Sequence, residues 1–133
     1  MNLKFHHIGV ACKDIKEVTI FLEKIFNLIN ISDTVLLENQ DGVKVCIVTT
    51  DDGTNIELVS GKGVERFVKR RQFLYHNCWE TSDIYMAIEH FVDNGSILFS
   101  EPKPSKLFNN RKVAFLMSDI GIVELLESKD SIQ

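Results

Sequence analysis

From Phe5 to Cys12 apolar residues alternate with small or polar ones. Ile8, Val10 and Cys12 fall on one side of an extended chain, and His7, Gly9 and Ala11 on the other, which predicts a strand. The period then lengthens. Ile15, Val18, Phe21, Leu22, Ile25 and Phe26 predict an amphipathic helix over residues 15–27, started by Asp14 as N-cap with Glu17 three residues on. Asn27 to Asp33 leads away from the helix. Residues 34–37, 43–49 and 55–59 read as strands separated by turns at Gln40-Asp41-Gly42 and Asp51-Asp52-Gly53.

Gly61-Lys62-Gly63 interrupts this pattern. A short helix with Val64, Phe67 and Val68 follows, and its basic run Lys69-Arg70-Arg71 reads as a solvated face. Residues 74–80 predict another strand, and Ser82 or Asp83 caps a helix with Ile84, Ala87, Ile88, Phe91 and Val92 inward, closed at Gly95. Ile97-Leu98-Phe99 reads as a strand. Residues 101–111, with Pro102 and Pro104, read as a loop that cannot pair as a central strand. Lys112 to Glu127 is two apolar runs joined by Asp119-Ile120-Gly121, a hairpin.

Each half therefore reads β-α-β-β-β, and the halves keep a common offset. His7 and His76 are 69 residues apart, as are Asp14 and Asp83, and Ile15 and Ile84. Lys44 and Lys112 are 68 apart, and Glu57 and Glu124 are 67 apart. The expectation is one domain over 1–133 built by duplication, with module one at 4–60, module two at 74–128 and a linker with a short helix at 61–73.

The duplication repeats polar residues as well as core. Glu57 and Glu124 each sit inside an apolar strand, where a carboxylate is costly to bury unless something pairs with it or coordinates it. His7 and His76 stand in the opening strand of each module. Singly, such residues are most often a hydrogen-bonded histidine and an exposed glutamate. As a repeated set, two imidazoles and two carboxylates suit a divalent transition metal with positions left open for substrate.

Composition narrows the class. Apolar and charged fractions of 44% and 26% are those of an ordinary globular protein, and a net charge of −4 argues against a general nucleic-acid binder. Cys12, Cys46 and Cys78 show no CxxC spacing and read as small buried hydrophobes in a reducing compartment. No run reaches a membrane-spanning length and no apolar leader opens the chain, so a cytoplasmic protein without membrane contact is expected.

The segments His6-His7-Ile8-Gly9-Val10-Ala11-Cys12-Lys13-Asp14-Ile15, Asn55-Ile56-Glu57-Leu58-Val59, Tyr75-His76 with Ser82-Asp83-Ile84, and Asn110 to Leu116 with Gly121 to Glu127 resemble the vicinal oxygen chelate superfamily. Within it they are most similar to the glyoxalase I and methylmalonyl-CoA epimerase branch. The resemblance implies an α+β fold, two βαβββ modules with sheets forming an open cup around one metal site. It places His7, Glu57, His76 and Glu124 on the four ligand positions of one divalent ion, nickel, cobalt or zinc. It further implies a lyase or isomerase that moves a proton at a carbon next to a carbonyl or thioester, with Glu124 as acid or base and Glu57 as lesser candidate. A thiol-linked carbonyl compound would be the substrate, and a homodimer the assembly.

One position departs from the epimerase pattern. Where a second catalytic glutamate would stand, this chain has Val45, next to Lys44. A one-glutamate, glyoxalase-like reaction is therefore expected ahead of a two-base epimerisation. Asn110, Arg111 and Lys112 are the candidates for holding an anionic substrate group, since arginine can grip a carboxylate or phosphate with two parallel bonds. A non-catalytic binding or resistance protein of the same fold, and a ring-cleaving dioxygenase, are the other readings.

Overall fold

The computed structural model describes residues 2–38 and 40–129. In chain order the elements are β1 (Leu3–Ala11), α1 (Ile15–Ile25), β2 (Leu28–Ile31), β3 (Val35–Leu37), β4 (Val43–Thr50) and β5 (Asn55–Ser60). After a 3-10 turn at Lys62–Val64 come α2 (Glu65–Lys69), β6 (Leu74–Thr81), α3 (Ile84–Asp93) and β7 (Ile97–Pro104). A second 3-10 turn at Lys106–Phe108 leads to β8 (Lys112–Ser118) and β9 (Gly121–Glu127). Among the described residues this is a mixed α+β fold of nine strands and three α-helices. None of these helices is long and apolar enough to cross a membrane. The chain divides into two compact units. One is His7–Tyr75, and the other joins the segment ending at His6 to the segment that begins at His76.

In the His7–Tyr75 unit the strand order is β2-β4-β5-β1, with β3 also on β4. Only β1 and β5 are parallel. Asp14 caps α1 as expected: its Oδ1 accepts from the backbone N–H of Lys16 at 2.8 Å and of Glu17 at 3.4 Å. Leu22, with Ile15 and Val18, presses α1 onto Cys46, Val48, Ile56 and Leu58. The helix stops at Ile25 rather than at residue 27, and Phe21, Ile25 and Phe26 are exposed. A helix on a sheet buries a narrower stripe than the full apolar set suggested. The connection expected at Asn27 to Asp33 contains β2, which pairs with β4 across a register shift between Leu28 and Asn30. Its four residues are too few to show an alternation. Gly61, at φ 121°, is needed as glycine, because a Cβ there would lie 3.2 Å from the Gly42 carbonyl oxygen and the Val43 Cα.

In the second unit the order is β6-β9-β8-β7, and β6 and β9 are the parallel pair. Asp83, not Ser82, caps α3, with its Oδ1 accepting from the Met86 N–H at 3.0 Å. Ile84 and Ala87 bury against Ala114, Leu116, Val123 and Leu125, with Trp79, Ile88 and Phe91 packed around them, whereas Val92 is exposed. The loop expected at 101–111 is strand as far as Pro104. Proline is tolerated there because β7 lies at the end of the order and its ladder shifts register between Ser100 and Lys103, around Pro102.

All three cysteines are buried and outside any disulfide, and burial pushes the Cys12 thiol up to about 11. They are packing residues, as their setting in the sequence implied.

Candidate metal centre

In the His7–Tyr75 unit, Gly9 on β1 stands opposite Glu57 on β5. His7 lies two residues before Gly9, so the pleat puts its side chain on the face that Glu57 uses. Ile8 and Val10 with Ile56 and Leu58 take the other face and pack under α1. The result is a buried pair, His7 Nε2 to Glu57 Oε1, at 3.7 Å.

The second unit repeats the construction in its own residues. Cys78 on β6 stands opposite Glu124 on β9, and His76 lies two residues before Cys78. His76 Nε2 is 3.2 Å from Glu124 Oε1. Val123 and Leu125 point to α3, so Glu124 shares its face with Ile122 and Leu126. Phe115 is the cross-strand partner of Glu124, and its ring meets the His76 imidazole edge-on at 6.0 Å.

His7, Glu57, His76 and Glu124 are each at most 5% exposed. Removing a carboxylate from water costs several kcal/mol unless a partner or cation compensates. Each glutamate is matched with an imidazole. Two donors bound to one divalent ion through bonds of about 2.1 Å sit about 3.0–3.4 Å apart. The His76–Glu124 spacing falls in that range and the His7–Glu57 spacing is slightly wider. The imidazole and carboxylate of each pair are also donor types that borderline divalent metals take. Each pair fits part of the ligand set of such an ion.

Toward Val45 the face around Glu57 is apolar. Across β4 its partner is Ile47, and the next pair on that face is Val45 with Val59. Val45 is buried, while Lys44 is exposed on the opposite face. The position expected for a second catalytic carboxylate therefore carries a methyl-lined wall.

Asn110, Arg111 and Lys112 point different ways. Asn110 is exposed, with φ 67°. Arg111 turns inward and is buried. Its Nε donates to the Phe108 carbonyl at 3.3 Å, and its Nη1 donates to the Glu127 carbonyl at 3.0 Å and to Glu80 Oε2 at 3.2 Å. Lys112 goes the other way, donating to the Tyr85 hydroxyl on α3 at 3.2 Å. That bond raises its pKa above the usual lysine value. Glu80 and Phe108 had not been singled out from the sequence. The readable signal for Glu80 is its place four residues after His76, on the same face of β6.

The family model of the glyoxalase/bleomycin resistance protein/dioxygenase superfamily matches residues 6–115. The chain belongs to that superfamily. Members of this superfamily often bind a metal ion. Three of the four buried ligand candidates of this superfamily chain, His7, Glu57 and His76, fall within the matched stretch. A hypothetical protein from Bacillus halodurans C-125 is 26% identical, with a TM-score of 0.74 over 97% of this chain and 96% of its own. Methylmalonyl-CoA epimerase from Mycobacterium tuberculosis is 15% identical, with a TM-score of 0.79 over 93% of this chain and 87% of its own. A Streptomyces coelicolor methylmalonyl-CoA epimerase in complex with 2-nitronate-propionyl-CoA is 20% identical, with a TM-score of 0.74 over 96% and 99%. At these identities the two epimerases are alike in fold. No curated protein matches the chain.

Proposed function

We propose that this protein is a metal-dependent enzyme of the glyoxalase type, moving a proton at a carbon next to a carbonyl or thioester. His7, Glu57, His76 and Glu124 are the ligands of one divalent ion, nickel, cobalt or zinc. The carrying observation is the repeated buried pair: in each unit the glutamate stands opposite the residue two places after the histidine. Both copies of the pair are buried, where a cation compensates the cost of taking the carboxylates out of water.

When bound, the ion supplies a Lewis acid that polarises the substrate's carbonyl oxygen, making the neighbouring C–H acidic enough for a carboxylate. Glu124 takes that proton and returns it. Its apolar neighbours Ile122, Leu126 and Phe115 exclude water, so the proton is not lost to solvent between the two transfers. His7 and His76 hold the ion in their neutral form. Glu57 is the lesser candidate for the proton carrier. The substrate is a thiol-linked carbonyl compound, handled by a cytoplasmic homodimer.

A second reading, an acyl-CoA epimerase, is favoured by the likeness to methylmalonyl-CoA epimerases, one of them in complex with methylmalonyl-CoA and NH4+. Val45 counts against a two-base version, because a valine cannot deliver a proton to the second face of the carbon. The two chemistries are separated by assaying metal-loaded protein with methylglyoxal plus thiol, and by following deuterium wash-in at the α-carbon of a CoA thioester. Turnover of the hemithioacetal with little wash-in is expected. Wash-in alone would move the assignment to an epimerase. Ligand binding indifferent to chelator, with neither reaction, would leave a small-molecule-binding protein.

A further inference from the structure

Asn94 is the one asparagine of the chain that is followed by glycine. In an open chain that pair is chemically unstable. Gly95 has no side chain to shield its backbone nitrogen, which can reach the Asn94 side-chain carbonyl carbon and close a five-membered ring. Both residues are exposed. Here they end α3: Asn94 is its C-cap, and Gly95, at φ 99°, is the left-handed residue that follows.

The cap ties down both reacting groups. The Gly95 N–H donates to the Val92 carbonyl at 3.0 Å, which holds the proton that must leave before the nitrogen attacks. Asn94 Nδ2 donates to the His90 carbonyl at 2.9 Å and fixes the carboxamide against the helix end. The Ser96 N–H, bonded to the Phe91 carbonyl at 3.0 Å, closes the turn behind them. Ring closure therefore needs the last turn of α3 to open first.

The same contacts set what the product does. Asn94 lines a cleft of about 390 Å³ together with His90, Ser118 and Asp119, where the end of α3 meets the turn between β8 and β9. A carboxylate at position 94 has no N–H for the His90 carbonyl. It also adds negative charge at the negative end of the helix dipole, in one cleft with Asp119. A backbone rerouted through the side chain gains one carbon, which carries the Gly95 and Ser96 N–H groups off their carbonyls.

We propose that Asn94 is a self-modification site gated by the α3 cap. It converts to aspartate and isoaspartate from an opened helix end, and the product keeps that end open. In the first step the Gly95 nitrogen loses its proton and bonds to Asn94 Cγ, the Cγ–Nδ2 bond breaks, and the amide leaves as ammonia. Solvent water then adds to either ring carbonyl and opens the ring, with no oxidation or reduction. The site stands on its own residues, independently of the proposed metal centre.

The test is peptide mapping of the full chain, kept folded or unfolded in urea, after incubation at physiological temperature in mildly alkaline buffer. Conversion at residue 94 is expected to be at least about tenfold slower in the folded chain, since it waits on local opening. Equal rates overturn the gate, and an unchanged Asn94 in urea overturns the site. Amide hydrogen exchange at Gly95 and Ser96 in Asn94→Asp tests the effect of the product. Exchange at least about fivefold faster than in wild type is expected, the mark of a frayed last turn. Unchanged exchange there contradicts a product that keeps the helix end open.

Discussion

Glu124→Gln is expected to lower turnover by about three orders of magnitude, within the range found when a positioned acid or base is removed. Glutamine keeps the shape of the side chain, so β9 stays paired with β6 and β8 and the face formed by Ile122 and Leu126 stays packed. What is lost is the oxygen that accepts the proton and the negative charge beside His76 Nε2, 3.2 Å away. The fold is not expected to suffer, since a neutral amide is cheaper to bury than a carboxylate. Steady-state kinetics and a thermal melt check both halves of this. The companion variant Glu57→Gln weakens metal binding to a similar degree but lowers turnover less. A larger loss of turnover in Glu57→Gln would exchange the two roles.

Leu125→Ala is expected to cost about 3 kcal/mol of stability and roughly 10 °C in Tm. Leu125 is the immediate neighbour of Glu124, yet the pleat sends it to the opposite face. It is fully buried there, with Ala114 and Trp79 as its cross-strand partners and α3 above. Truncation leaves a cavity that rigid strands on both sides cannot close. Below the melting transition the variant should still take up metal as the wild type does. Urea denaturation and metal content together measure the division of labour along β9: one residue for the core, the next for the chemistry. A cost under about 1 kcal/mol would show that the α3 side of the sheet is not the core.

The alternation in β1, the strand runs of β4, β5 and β6, the cap Asp14 and a second cap at Ser82 or Asp83 were readable because each is a local signal, a run, a period or a hydrogen bond to a neighbour in sequence. The duplication made the His–Glu pairs readable too, because a repeat supplies a second copy against which a single odd carboxylate can be judged. Three features were not readable, each for a reason outside the local chain. β2 is held by pairing with β4 rather than by its own pattern. β7 continues through Pro102 and Pro104 because it has one neighbour, a fact of topology. Arg111 and Lys112 diverge because adjacent strand residues face opposite ways, and the start of β8 at Lys112 fixes which goes where. From sequence, the basic segment looked like one patch.

The central claim is that one ion is shared by both His–Glu pairs, and metal stoichiometry tests it most directly. Wild type, His7→Ala and His76→Ala are stripped with chelator, reloaded with nickel, cobalt or zinc, and assayed for bound metal per chain. One ion per wild-type chain is expected, with affinity falling at least tenfold in either variant, because each removes a ligand from the same ion. Two ions per chain, or a His7→Ala protein that holds its metal as tightly as wild type, would contradict a shared centre.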